Sequence, residues 1–146
     1  MSVTLIELQE FFAAIGIAHI RRTYTSANTP PAVQARDLPL LMPDPRAPLE
    51  SSQSTRLTMG GAGWRRERVL NYVCLVAEAG TGRNPADHAE RLAQCIDAVE
   101  NAFCDALPDN VHGLPVVSIG GAGVIEDPSG KQFHGFPVSV TVVTSY

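Results

Sequence analysis

Residues 77–92, AEAGTGRNPADHAERL, set two spaced glycines between an apolar, strand-like run and a helix-like one. A strand, a glycine loop and a helix can cradle a nucleotide's phosphates, because backbone N–H groups and the positive helix end both face the anion. The surrounding residues do not complete such a loop. A dinucleotide loop has the pattern G-x-G-x-x-G, and after Gly80 and Gly82 the third place is held by Pro85. A Walker loop continues from its last glycine with Lys and then Ser or Thr, but Gly82 is followed by Arg83 and Asn84. Gly130-Lys131 is followed by Gln132, and Ile125 stands where the leading glycine would be needed. Asp87 falls in the first turn of the expected helix and repels phosphate. The loop is a corner, and no cofactor is expected.

Other reactive groups are equally scattered. His19, His88, His112 and His134 lie far apart, none with a His or Cys at ligand spacing, so they are expected at the surface and no metal is expected. Cys74, Cys95 and Cys104 form neither a C-x-x-C pair nor an even disulfide framework. They fit reduced thiols of a cytosolic protein, with Cys74 in a strand core and the other two on a helix. There is no G-x-S-x-G, and the acids fall mostly on helix faces with no paired general acid and base. No catalytic residue is assigned and no enzyme is expected.

The remaining cluster is basic. Arg65, Arg66 and Arg68 follow Trp64 at a bend, with Arg56 across the expected hairpin. They are either solvated hairpin charges or a contact for a polyanion or an acidic protein face. In a ring of several copies they would line a pore.

Charge is unevenly spread along the chain, whose net charge is −4. Residues 1–70 carry eight Arg against six acids, and residues 71–146 carry three bases against nine acids. Such a two-signed molecule suits stacking or two different partners, and not a dedicated DNA-binding domain, which is usually basic overall. At 146 residues, 45% apolar and 18% charged, the chain fits one globular domain over residues 1–146. No apolar run reaches membrane-spanning length and MSVTLIELQEFF has no basic n-region, so a soluble chain without a visible export signal is expected.

These side chains need elements to position them. TLIELQEFFAAI puts Leu5, Leu8, Phe12 and Ile15 on one helical stripe, with Thr4 and Glu7 at capping-box spacing and Gly16 as the stop. IAHIRRTY alternates as a short strand. Residues 25–54 hold six of the eleven prolines and one apolar knot, LPLLMP. They fit an extended arm that docks on the domain itself or on a neighbouring subunit, with Pro30, Pro31, Leu38, Leu40, Leu41 and Met42 as the candidate inter-subunit contacts. From Thr55 a hairpin turns at GGAG (60–63) into WRRERVLNYVCLVAEA. That strand is central in its far half, and its near half is expected to project into solvent.

A second helix begins with Asn84 as N-cap, Pro85 at N1 and Asp87 in the first turn, and carries the stripe Ala89, Leu92, Ile96, Val99, Phe103 and Leu107. Two closing strands follow, joined by the turn DPSGK, and GGAG at 120–123 reads as another bend. The expected class is α+β: a mainly antiparallel sheet of four to five strands with two helices on one face and the long Pro-rich arm.

The N-terminal helix, the short strand before LPLLMPDP, the strand WRRERVLNYVCLVAEAG, the helix GTGRNPADHAERLAQCIDAVENAF and the closing GFPVSVTVV together resemble tail terminator (tail completion, neck) proteins of long-tailed bacteriophages. The resemblance covers most of the chain through element order and texture, without an invariant motif. It implies a virion structural protein, made in the bacterial host cytoplasm, that forms a hexameric ring on the tail tube. Such a ring stops tube polymerisation and joins the tail to the head. The implied partners are identical subunits, the tail-tube protein, the head–tail connector protein and genomic DNA sliding through the lumen, with no membrane. Another phage joining, connector or tail-tube protein, or a non-viral oligomeric binding module, are the alternative readings.

Overall fold

The structure, a computed structural model, describes residues 5–46, 49–56, 64–79, 88–105 and 116–145; within these, the side chains of residues 5, 49–56, 64–66, 105 and 144–145 lie outside the description. The first helix, α1 (Leu5–Ala13), buries Leu8 and Phe12 as their four-residue spacing requires. It then tightens, with the Ile15 N–H bonding to the Phe12 carbonyl, just ahead of Gly16. The second, α2 (Ala89–Asp105), buries Leu92, Cys95, Val99 and Phe103. Cys95 joins the expected stripe and Ala89, expected within it, is exposed. The expected cap at Asn84, Pro85 and Asp87, and Leu107, fall outside the described residues, as do Thr4 and the glycine corner itself.

Among the described residues seven strands make one sheet: β1 (Arg22–Thr23), β2 (Leu40–Pro43), β3 (Leu49–Arg56), β4 (Trp64–Glu78), β5 (Val116–Ile119), β6 (Gly123–Glu126) and β7 (Gln132–Ser145). The long strands β4 and β7 pair antiparallel along almost their whole length and form its centre. On the free side of β4, β2 and β3 lie end to end, and β1 adds outside β2 in a parallel pairing. On the free side of β7, β6 and β5 lie end to end. The break between them falls opposite Pro137, which has no N–H for the ladder; Gly120 bonds only to its carbonyl.

The protein is therefore α+β, with a mixed, mainly antiparallel sheet. Among the described residues the sheet has seven strands: LPLLMP adds β2, the strand expected from Thr55 lies over residues 49–56, and the first closing strand divides in two.

Side-chain alternation sorts the sheet into two apolar faces. Leu70, Tyr72, Cys74 and Val76 of β4 join Phe136, Val138, Val140 and Val142 of β7 under both helices, where Leu8, Phe12, Leu92, Val99 and Phe103 pack on them. The opposite face carries Val73, Leu75, Leu40, Met42 and Phe133, and it is covered by Val33 and Leu38 from the Pro-rich segment. Burying each such Leu, Val or Phe contributes about 1.5–3 kcal/mol, so both covers are strongly favoured.

β4 carries a bulge. Leu75 pairs with Gly135 and Ala77 with His134, which leaves Val76 as the extra residue. A Cβ at Gly135 would lie 2.0 Å from the Cys74 carbonyl oxygen, so the two backbones approach more closely than any side chain allows.

Candidate functional site

The basic cluster sits on a three-stranded ribbon. Arg56 pairs with Trp64, Thr55 with Arg65, Ser54 with Arg66 and Ser52 with Arg68 on the β3 side. On the β7 side Arg65 pairs with Ser145, Arg66 with Thr144 and Arg68 with Val142. The near half of β4 is thus flanked on both sides and does not project alone, which corrects the expectation. Arg68 is 6% exposed and shares its face with Leu70 and Tyr72. It cannot serve as a solvated contact to DNA. Glu67, one residue before, is exposed. The side chains of Arg56, Trp64, Arg65 and Arg66 lie outside the described residues, as does the turn over residues 57–63.

The expected inter-subunit arm needs a second correction. Leu38, Leu40, Leu41 and Met42 are buried within their own chain, and residues 40–43 form β2 against β4. Leu40, Leu41 and Met42 have no exposed surface and Leu38 only 8%, which leaves a neighbour almost nothing to touch. Pro30 is half-buried and Pro31 is exposed. Backbone bonds run from Arg21 N–H to the Pro39 carbonyl (2.7 Å), from Tyr24 N–H to Leu41 (2.8 Å) and from Asp44 N–H to Asn71 (3.0 Å).

Two buried polar side chains hold the same segment. The Gln9 carbonyl oxygen on α1 accepts the Ser26 N–H at 3.0 Å. Asp127 accepts four hydrogen bonds. One carboxylate oxygen takes the Val33 N–H at 2.9 Å. The other takes the Ser129 N–H (2.9 Å), the Ser129 hydroxyl (2.6 Å) and the Lys131 N–H (2.9 Å). Burial opposes its charge, but these donors outweigh burial and hold the carboxyl below its ordinary value. Gly130, at φ +89°, closes the DPSGK turn as its sequence demands. The neighbouring Lys131–Glu78 pair at 2.5 Å is exposed and contributes about 0–1 kcal/mol.

The chemistry-bearing groups that the fold brings together are two buried pairs. Cys74 on β4 and Cys95 on α2 hydrogen-bond through their thiols; donating to Cys95, and then burial, push the Cys74 thiol up, while accepting that bond lowers Cys95. Among the described residues the cysteines are free thiols, with Cys104 exposed.

His88, immediately before α2, and His134 on β7 are 9% and 2% exposed, with ring centroids 5.3 Å apart. The expectation of surface histidines is corrected for both. His19 is exposed and His112 lies outside the described residues. The signal for His134 is present in QFHGFPVSV, where His134, Phe136, Val138 and Val140 fall on one face at two-residue steps. The same alternation puts Arg68 in line with Leu70, Tyr72 and Cys74. A shallow cleft bordered by Leu38, Val76, Ala77, Glu78, His88 and Arg91 opens beside the histidine pair.

No protein-family model matches this chain, and no curated protein matches it at a significant level. Among the described residues no helix is long and apolar enough to cross a membrane.

Proposed function

We propose that this chain is a structural subunit that assembles with identical copies into a ring on the tail tube of a long-tailed bacteriophage, ending tube growth and joining the tail to the head. The observation that carries the reading is the open outer rim of the sheet. Among the described residues, β5 and β6 pair only with β7, and each presents an exposed valine, Val116 at 65% and Val124 at 52%. A strand edge offers unpaired N–H and C=O groups to another chain, and apolar side chains along it favour a partner over water.

A closed ring needs two complementary rims on each subunit. The second is supplied by β1 and β3, each paired on one side only among the described residues. The charge asymmetry between the halves of the chain suits stacking between two different neighbours, tube on one side and connector on the other. Element order along the chain supports the same reading. DNA passes such a ring without being gripped, and the arginines left to meet it are Arg56, Arg65 and Arg66, beside Trp64. Arg68 is removed from that set by its burial.

Size-exclusion chromatography with light scattering, followed by electron microscopy, tests the proposal. A closed ring of about six subunits that halts the growth of tail tubes assembled in vitro is expected. A chain that stays monomeric at high concentration and leaves tube length unchanged overturns it.

A further inference from the structure

We propose that His88 and His134 form a binding site for one divalent transition-metal ion, which pins the residue leading into α2 to β7. Nε2 of His88 and both ring nitrogens of His134 are buried without a hydrogen-bond partner among the described residues. Buried polar atoms in folded proteins are nearly always bonded, because leaving one bare costs about 1–3 kcal/mol. A neutral imidazole offers one lone pair and one N–H, so a single ion can take Nε2 of His88 and one nitrogen of His134, the other His134 nitrogen keeping its proton.

The spacing agrees. An ion about 2.0–2.1 Å from one nitrogen of each ring, with tetrahedral angles, places the two ring centres roughly 5.2 Å apart. The observed separation is 5.3 Å, with 37° between the ring planes. The β4 bulge makes the room: Ala77, opposite His134, offers a methyl group where a larger side chain would fill the space. The cleft lined by Glu78, His88 and Arg91 gives an ion its way in from solvent.

Among the described residues no third His, Cys, Asp or Glu joins the pair. The protein thus supplies two imidazoles and leaves the other positions to water, unlike the three or four protein ligands of catalytic and structural zinc sites. Imidazole donors with open positions suit Ni2+, Cu2+ and Zn2+, and not Mg2+ or Ca2+, which require oxygen. Arg91, on the cleft wall one turn along α2, opposes the ion's charge. Its removal is therefore expected to strengthen binding.

The test is calorimetric titration of the untagged full chain with Ni2+ and, separately, Zn2+. One ion per chain is expected, with a rise in Tm that grows with metal concentration. His88→Gln, at the cleft edge, should weaken binding more than about tenfold, and Arg91→Gln should tighten it. Circular dichroism of the metal-free variants confirms that they are folded, and His134→Gln repeats the test wherever it folds. Absence of binding by the folded wild-type chain, or a His88→Gln variant that binds Ni2+ as tightly as wild type, overturns the site. The ring reading is unaffected by either result, since it is read from assembly.

Discussion

A carboxylate oxygen of Asp127, in the turn between β6 and β7, accepts the backbone N–H of Val33 at 2.9 Å across a sequence separation of 94 residues. This bond fastens the middle of the Pro-rich segment over the second face of the sheet, where Val33 and Leu38 cover Val73, Leu75 and Phe133. Asp127→Ala leaves the Val33, Ser129 and Lys131 N–H groups without their acceptor and should cost about 3 kcal/mol in urea unfolding at pH 7. The pH dependence has a definite sign. The folded carboxyl sits below its ordinary 3.8, so its contribution is complete above that value and is lost as pH falls through the folded one. The gap between wild type and Asp127→Ala should therefore be constant near neutrality and narrow below about pH 4.

Gly135 tests the close approach of β7 to β4. A methyl group there meets the Cys74 carbonyl oxygen at 2.0 Å, and backbone cannot swing aside as a side chain can. Gly135→Ala should lower stability by about 1–3 kcal/mol or more by thermal unfolding, although alanine is otherwise the better strand residue. An unchanged Tm would show that the bulge is not held as described.

Tyr72 separates packing from polarity. Its ring joins Phe12 and Phe103, with centroid distances of 6.5 and 5.8 Å, and Phe12 lies 4.9 Å from Phe103. Its hydroxyl is buried without a hydrogen-bond partner among the described residues, and burial pushes its pKa far up. Tyr72→Phe should be neutral or stabilising by about 1 kcal/mol, whereas Phe103→Ala should cost about 3–5 kcal/mol. Chemical denaturation of the two variants side by side reads both signs.

Val116 and Val124 carry the prediction about assembly. Both are exposed on the outer strands beside β7, so Val116→Lys with Val124→Lys should change monomer stability by less than about 0.5 kcal/mol per site. A charged rim disfavours edge pairing. The double variant should therefore remain monomeric in light scattering while wild type forms rings.

The helices, the long strand and the DPSGK turn are legible in the sequence because each rests on local rules: apolar spacing, alternation and turn chemistry. What stays hidden there depends on pairing over distance. LPLLMP reads as an extended, proline-stiffened stretch in isolation, and only β4, further along the chain, turns it into an inner strand. Cys95 reads as a thiol, yet it acts as the small apolar side chain that completes the α2 stripe. Arg68 and His134 each stand in an alternating row of apolar residues. Charge and polarity argue for the surface at both positions, and the register of β4 with β7 decides for the row.

The position of β7 along the chain also governs how the polypeptide can acquire its shape. β5 and β6 take their ladder bonds from a strand that comes after both of them, and β4 meets the partner for one of its two edges only then. While the ribosome is still translating residues upstream of 132, the helices can coil and β4 can pair with β2 and β3, but its other edge has no partner. The nascent chain must carry that edge of β4 open until residues 132–145 emerge, so chaperone capture of the growing polypeptide should be greatest in that interval.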